Sequence, residues 1–323
     1  MAPQFQLPKA WSRIMGRATP RLAAAICAVL VLLAAAASAG EPAQRVFASP
    51  KRAVEALLVA ARGGQAADLL RILGPGNEDI VSSGDPVADR QARARFLAAY
   101  GEMNKVAFNG PDRAQLMLGA DGWPFPIPLA KVGNGWRFDT IAGRQEILDR
   151  RIGRNELNAI EFCRTYVEAQ GEYADADRQG GGLAEYARKF QSTPGLRDGL
   201  YWPMGPDGES SPLGPLVASA RAEGYDADSP GGTDRQPYHG YLYKILLSQG
   251  SAAPGGARDY VVNGRMIGGF ALVAFPARYG DSGIMTFIVN HDGSVFQKDL
   301  GTDTAAIAHG MTEFNPDQDW KKL

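Results

Sequence analysis

The side chain with the most chemistry around it is His239, which stands among Tyr238, Tyr241 and Tyr243 at the start of an alternating apolar run. An imidazole can act as a general base, but it needs a carboxylate or a nucleophile held within reach. No such partner lies at motif spacing, so packing among the tyrosines is the plainer role. Tyr201 and Trp202, in the run Leu200-Tyr201-Trp202-Pro203-Met204, are the best candidates for a contact surface. Large aromatics in a Gly/Pro-rich loop either pack or bind. Tyr225, His239 and Tyr241 extend the same patch if that loop folds back on a sheet. These five residues form the candidate binding set, and no residue is assigned a catalytic role.

Other chemistries find less support. His291 falls in a turn and His309 on a helix, and the histidines show no metal spacing. The glycines between Gly250 and Gly269 could suggest a phosphate cradle, but such cradles join a strand to a helix N-terminus. Here the flanks read as strands, and Asn263-Gly264 is a hairpin turn. Gly-Xaa-Ser-Xaa-Gly, His-Glu-Xaa-Xaa-His and Walker patterns are absent, and Asp226/Asp228 and Asp317/Asp319 lack calcium-loop spacing. No metal or cofactor is expected. Cys163 lies on the buried stripe of a helix, where a free thiol behaves as a small hydrophobe.

The composition narrows the class. The chain has 323 residues, 34 Lys+Arg against 35 Asp+Glu, 45% hydrophobic residues and two cysteines. Balanced charge leaves no electrostatic footprint for nucleic acid. Two cysteines cannot build a disulfide framework or a zinc ribbon. The first 39 residues read as an address. Lys9, Arg13, Arg17 and Arg21 form a basic region, Leu22–Ala37 is apolar, and Ala37-Ser38-Ala39 fits a cleavage site. The apolar run is short for a membrane span, which needs about 20 residues. Cleavage after Ala39 removes Cys27 and leaves a net charge of −5. An uncleaved anchor is the alternative; a lipoprotein fits less well, because Cys27 lies inside the apolar run. The expected location is the periplasm, with no membrane span once the signal is cut.

The remaining chain changes its hydrophobic period twice. Ser49-Pro50 opens a helix carrying Val54, Leu57, Leu58 and Ala61, which Gly63-Gly64 ends. A second runs from Ala66 to Leu73, and a third from Pro86 to Met103 under an Asp85 cap, with Phe96, Leu97 and Tyr100 on one face. Period-two patterning follows from Arg113 to Leu118. Pro126 and Pro128 demote Phe125–Val132 to an edge or extended segment, and Gly133-Asn134-Gly135 turns the chain into Trp136–Asp139. Asn155–Tyr173 is a stronger amphipathic helix. Ala174–Pro237 is a long connection with helical stretches at Leu183–Phe190 and Pro215–Glu223. Antiparallel strands follow at Tyr238–Leu247, Asp259–Val262, Arg265–Met266, Phe270–Phe275, Ile284–Val289 and Ser294–Lys298, then a helix at Thr304–Met311. The fold class is therefore α+β, with two domains that each pack helices on an antiparallel sheet. The expected division is a signal peptide at 1–39, an N-terminal domain at 45–150, a second domain at 151–314 with a long loop at 174–237, and a tail at 315–323.

Two resemblances add to this. The ordered string Tyr238-His239-Gly240-Tyr241, Gly255-Gly256, Asp259–Gly264, Met266–Ala274, Met285–Asn290, Asp292-Gly293 and Lys298–Gly301 closely resembles the bacterial family catalogued as domain of unknown function 2950. Ser83-Gly84-Asp85-Pro86 and Arg95-Phe96-Leu97 carry the likeness into the first half. It implies an exported envelope protein and brings no activity, cofactor or catalytic residue. The second half also resembles the globular part of type IV pilins: Phe270–Pro276, Gly283–Val289 and Asp292-Gly293-Ser294-Val295 resemble their strand–Pro–strand–Asp-Gly hairpin, and Asn155–Ile160 the start of their exposed helix. Gln145–Arg154 is charged where pilins are apolar, so assembly through a shared apolar bundle is ruled out. The expected function is a binding or structural module of the envelope whose partner is an envelope protein or a glycan. The alternative is an envelope hydrolase or carbohydrate-acting enzyme using His239 and its tyrosines.

Overall fold

The computed structural model describes residues 43–176, 182–206, 208–225 and 236–323. The expected signal peptide at 1–39 lies outside the described residues, as do Asp226 and Asp228. Helices and antiparallel sheets make the chain α+β. Residues Gln44–Leu323 form one compact unit that contains two hydrophobic cores.

The first core is built from short, well-signalled elements. Helix α1 (Pro50–Gly63) starts where the Ser49 hydroxyl accepts from Arg52 N at 3.3 Å, and ends at Gly64, which is left-handed at φ 69°. Helices α2 (Ala66–Leu73) and α3 (Glu78–Val81) follow, the latter too short to show a period. Helix α4 (Pro86–Glu102) begins at Asp85. Strands β1 (Asn104–Phe108), β2 (Arg113–Leu118), β3 (Trp123–Pro124), β4 (Leu129–Val132) and β5 (Gly135–Phe138) form an antiparallel sheet in the order β1-β2-β4-β5, with β3 also on β2. The prolines do not demote β4 to an edge. They lie before it, and β4 pairs with both β2 and β5.

Helix α5 (Thr140–Asp175) is the spine of the molecule. At 1.5 Å per residue its 36 residues span about 54 Å. It begins fifteen residues before the predicted Asn155, and the boundary expected at 150/151 lies within it. The early turns are mostly charged, yet Leu148 and Ile152 continue the buried line of Asn155, Ala159 and Phe162. Glu146 and Arg150 add an i,i+4 ion pair at 2.6 Å. Leu148 and Ile152 serve the first core, while Ala159, Phe162, Cys163 and Tyr166 serve the second. Cys163 has no solvent exposure, and burial pushes its thiol pKa up to about 12.

The second core lies between α5 and the sheet β15-β13-β12-β11-β6. Its strands are β6 (Tyr241–Leu246), β11 (Ala271–Pro276), β12 (Met285–Asn290), β13 (Val295–Asp299) and β15 (Lys321–Lys322), with β7 (Ser248–Gln249), β8 (Arg258–Asp259) and β14 (Glu313–Phe314) in a small companion sheet. Strands β9 (Val261–Val262) and β10 (Arg265–Met266) flank the predicted Asn263-Gly264 turn. Both faces of β11 are buried, which explains its continuous apolar run. One faces α5, where Phe162 packs on Tyr243 with ring centroids 3.9 Å apart. On the other, Phe275 meets His309 of α7 (Thr304–Gly310) at 5.0 Å. The C-terminal stretch 315–323 is held rather than loose, since β15 pairs with β13.

In the long connection, α6 (Gly214–Glu223) matches the reading and Leu183–Phe190 does not. The backbone of Ala187 is taken by the buried Gln170 side chain, whose amide accepts from Ala187 N and donates to Ala187 O, both at 2.8 Å. A helix would need those same groups for itself.

Candidate functional site

The two cores meet where a turn from the second half reaches a loop of the first. Residues Tyr238–Tyr241 close a tight turn, with Tyr238 N donating to Tyr241 O at 2.9 Å and Tyr241 N to Tyr238 O at 3.1 Å. Its central residues have positive φ, 50° at His239 and 76° at Gly240, so it is a primed hairpin turn with His-Gly where Asn-Gly is commoner. A positive φ at histidine is sparsely populated, and the neighbours that hold it are all polar. Tyr225 accepts from His239 N at 3.2 Å through its hydroxyl, which in turn donates to Asp85 Oδ2 at 2.9 Å. Gly240 N donates to the same Oδ2 at 3.0 Å.

Asp85 is the centre of this corner. Its side chain is buried and forms no ion pair among the described residues. Four donors compensate its charge: Val87 N and Ala88 N on Oδ1 at 3.1 and 3.0 Å, and Tyr225 and Gly240 on Oδ2. The positive end of α4 adds to them. The loop around it is clamped as well. Ser83 donates through Oγ to Asp89 Oδ1 at 2.7 Å, and Arg278 donates to the carbonyls of Ser82 and Ser83.

This corner closes one end of a cleft of about 490 Å3, inside the roughly 300–1,000 Å3 range of small-molecule sites. Helix α4 forms one wall and the first half of α5 the other, over a floor contributed by α1 to α3 and the 125–127 segment. Helix α4 has seventeen residues and no fully buried one. Its apolar Phe96, Leu97 and Tyr100 stay half-buried: Phe96 and Tyr100 pack on the edge of the first core, and Phe96 also lines the cleft.

The walls are rich in arginine. Arg151 is pinned by donating to Asp79 O at 2.5 Å and Ile80 O at 2.9 Å, and Arg150 pairs with Glu146. Arg95 and Arg154 have neither an ion pair nor a hydrogen bond among the described residues. Burial lowers the Arg95 pKa first and the like charge of Arg154 lowers it further, against the opposing pull of Glu223.

His239 lines the same end, with Nε2 3.4 Å from Glu223 Oε2. Gln91 Nε2 also donates to that oxygen at 3.3 Å. The His239 pKa is lowered by burial, against the opposing pull of Glu223 and Asp85, with Arg95 adding to the drop. The unfolded chain therefore binds a proton near pH 6.5 that the folded chain refuses, and stability is lost as pH falls through that value. We expect wild type to lose more stability between about pH 7.5 and about pH 5.5 than His239→Asn, which tolerates the same backbone. Chemical denaturation at the two pH values measures the difference, and equal losses would contradict it.

Of the five predicted residues, the structure brings His239 and Tyr225 together, their rings 5.5 Å apart. Tyr241 is fully buried in β6 and donates to Met285 O at 2.8 Å. Tyr201 and Trp202 lie in the second core beneath Arg221 and Arg197, away from the cleft. Sequence reasoning took Asp85 only as a cap and gave Glu223, Arg95 and Arg154 no role in a site. Asp85 and Arg95 had a signal in the Ser83-Gly84-Asp85-Pro86 and Arg95-Phe96-Leu97 strings. Glu223 and Arg154 are ordinary helix-surface charges until α4, α5 and α6 are placed.

Among the described residues no helix is long and apolar enough to cross a membrane, and no cluster of His, Cys, Asp and Glu could hold a metal ion. No curated protein and no solved structure matches the chain. Residues 44–323, which contain both cores and the whole cleft, match the family model described as Protein of unknown function (DUF2950), and the chain belongs to that family.

Proposed function

We propose that this protein is an exported, non-catalytic binding module of the bacterial envelope, with the cleft between α4 and α5 as its ligand site. The observation that carries this reading is the mismatch in α4. A seventeen-residue helix without a fully buried residue stands over an apolar floor, and Arg95 and Arg154 are among the unpaired arginines that line the cleft. The basic and apolar N-terminal segment ending in Ala37-Ser38-Ala39 supports export. The crossing of α5 over the antiparallel sheet supports a pilin-like reading of the second half, and the two separate cores support two domains sharing one helix. Cell fractionation and N-terminal sequencing test export: the protein should appear in the periplasmic fraction starting at Gly40, and an intact Met1 in the cytoplasm would overturn it.

A second reading rests on the His239–Glu223 pair. A neutral imidazole beside a carboxylate on a cleft wall is what a general base requires. The neighbouring hydroxyls are already engaged, Tyr225 with Asp85 and Ser83 with Asp89, so hydrolysis here would use water. Turnover of chromogenic ester or glycoside substrates that disappears in His239→Asn would favour this reading over binding alone.

A further inference from the structure

We propose that the cleft takes a single-chain amphiphile with an anionic head group, the chain lying on the apolar floor and the head held between Arg95 and Arg154. This rests on the reading of the cleft as a ligand site and names the class of ligand. The floor, with Leu57, Leu69, Ile80 and Ile127, and the wall residues Phe96 and Ile147 offer no side-chain hydrogen bond. A glycan needs polar partners along its length, whereas an acyl chain needs none. The charged lining of the cleft is net basic, with Arg93, Arg95, Arg150, Arg151 and Arg154 against Asp89 and Glu223. Asp89 is hydrogen-bonded by Ser83, and Glu223 by Gln91. Arg95 and Arg154 both line it without an ion pair or hydrogen bond among the described residues, and their like charges repel, with Glu223 pulling on Arg95 in the opposite sense. An anion between them relieves that repulsion, and two planar guanidinium groups suit the oxygens of a carboxylate or a phosphate.

The test is isothermal titration of the full chain with laurate, dodecyl phosphate, dodecanol and inorganic phosphate, each below its micellar concentration where one exists. Laurate or dodecyl phosphate should bind at least about tenfold more tightly than dodecanol or inorganic phosphate, because chain and head act together. The tighter of the two anionic probes assigns the head as carboxylate or phosphate. In the double variant Arg95→Gln/Arg154→Gln that advantage should fall by about tenfold or more. Both arginines are exposed and unpaired, so the variant should unfold at the wild-type temperature. Dodecanol bound as tightly as laurate, or a double variant that keeps full affinity, would overturn the anionic class while leaving the cleft a binding site. Absence of binding by all four probes would overturn both.

Discussion

Replacing Asp85 with alanine should cost about 2.5–8 kcal/mol of stability. Two buried donors, the Tyr225 hydroxyl and Gly240 N, lose their shared acceptor, at roughly 1–3 kcal/mol each when left unsatisfied. Helix α4 also loses its N-cap, worth about 0.5–2 kcal/mol. Against a typical total of roughly 5–15 kcal/mol, this loss is large. Urea unfolding of wild type, Asp85→Ala, Tyr225→Phe and the double variant measures it. The two changes should be strongly non-additive, because both break one bond. A loss under about 1 kcal/mol would show that the corner is not held by this carboxylate.

The second large effect is expected at Gly240. Its φ of 76° disfavours any side chain, and an added Cβ would strike the Asn155 amide and lie 3.1 Å from Ser282 Cβ. Asn155 is buried in α5 and donates to Ser282 O at 2.9 Å, fastening the helix to the 278–283 loop. Gly240→Ala therefore combines left-handed strain of about 1–2 kcal/mol with overpacking of about 1–3 kcal/mol. A loss of roughly 2–5 kcal/mol in the same unfolding experiment is the expected result. Gly293→Ala has a similar φ of 75° but only Val167 Cγ1 nearby, at 4.0 Å, and isolates the strain alone. Equal losses in the two variants would remove the role given to Asn155.

Sequence patterns made most elements legible because local signals agreed with the fold. Ser49-Pro50, Asp85-Pro86 and Asn263-Gly264 each mark a boundary with a mechanism, and the structure places a helix start or a hairpin turn at each. The misses share a cause. The first four turns of α5 look solvated because Leu148 and Ile152 are their only buried large apolar residues, and these serve the first core while the later turns serve the second. Leu183–Phe190 looks helical because nothing local announces that Gln170 claims Ala187. The cleft was hidden for the same reason: Asp85, Arg95, Arg154, Glu223 and His239 are spread over more than 150 residues, and only tertiary placement brings them together. His239 was visible through its tyrosines, yet its partner Glu223 sits at the end of a helix sixteen positions earlier.

The central claim is that the space between α4 and α5 is where a ligand sits. Ala92 is exposed on α4 and lines that space, so Ala92→Trp fills it without entering either core. Titrating laurate into the full-length wild type and into Ala92→Trp tests the claim directly. The account predicts saturable binding by wild type and none by the variant, with both unfolding at the same temperature. Equal binding by the two proteins would place the ligand elsewhere and contradict it.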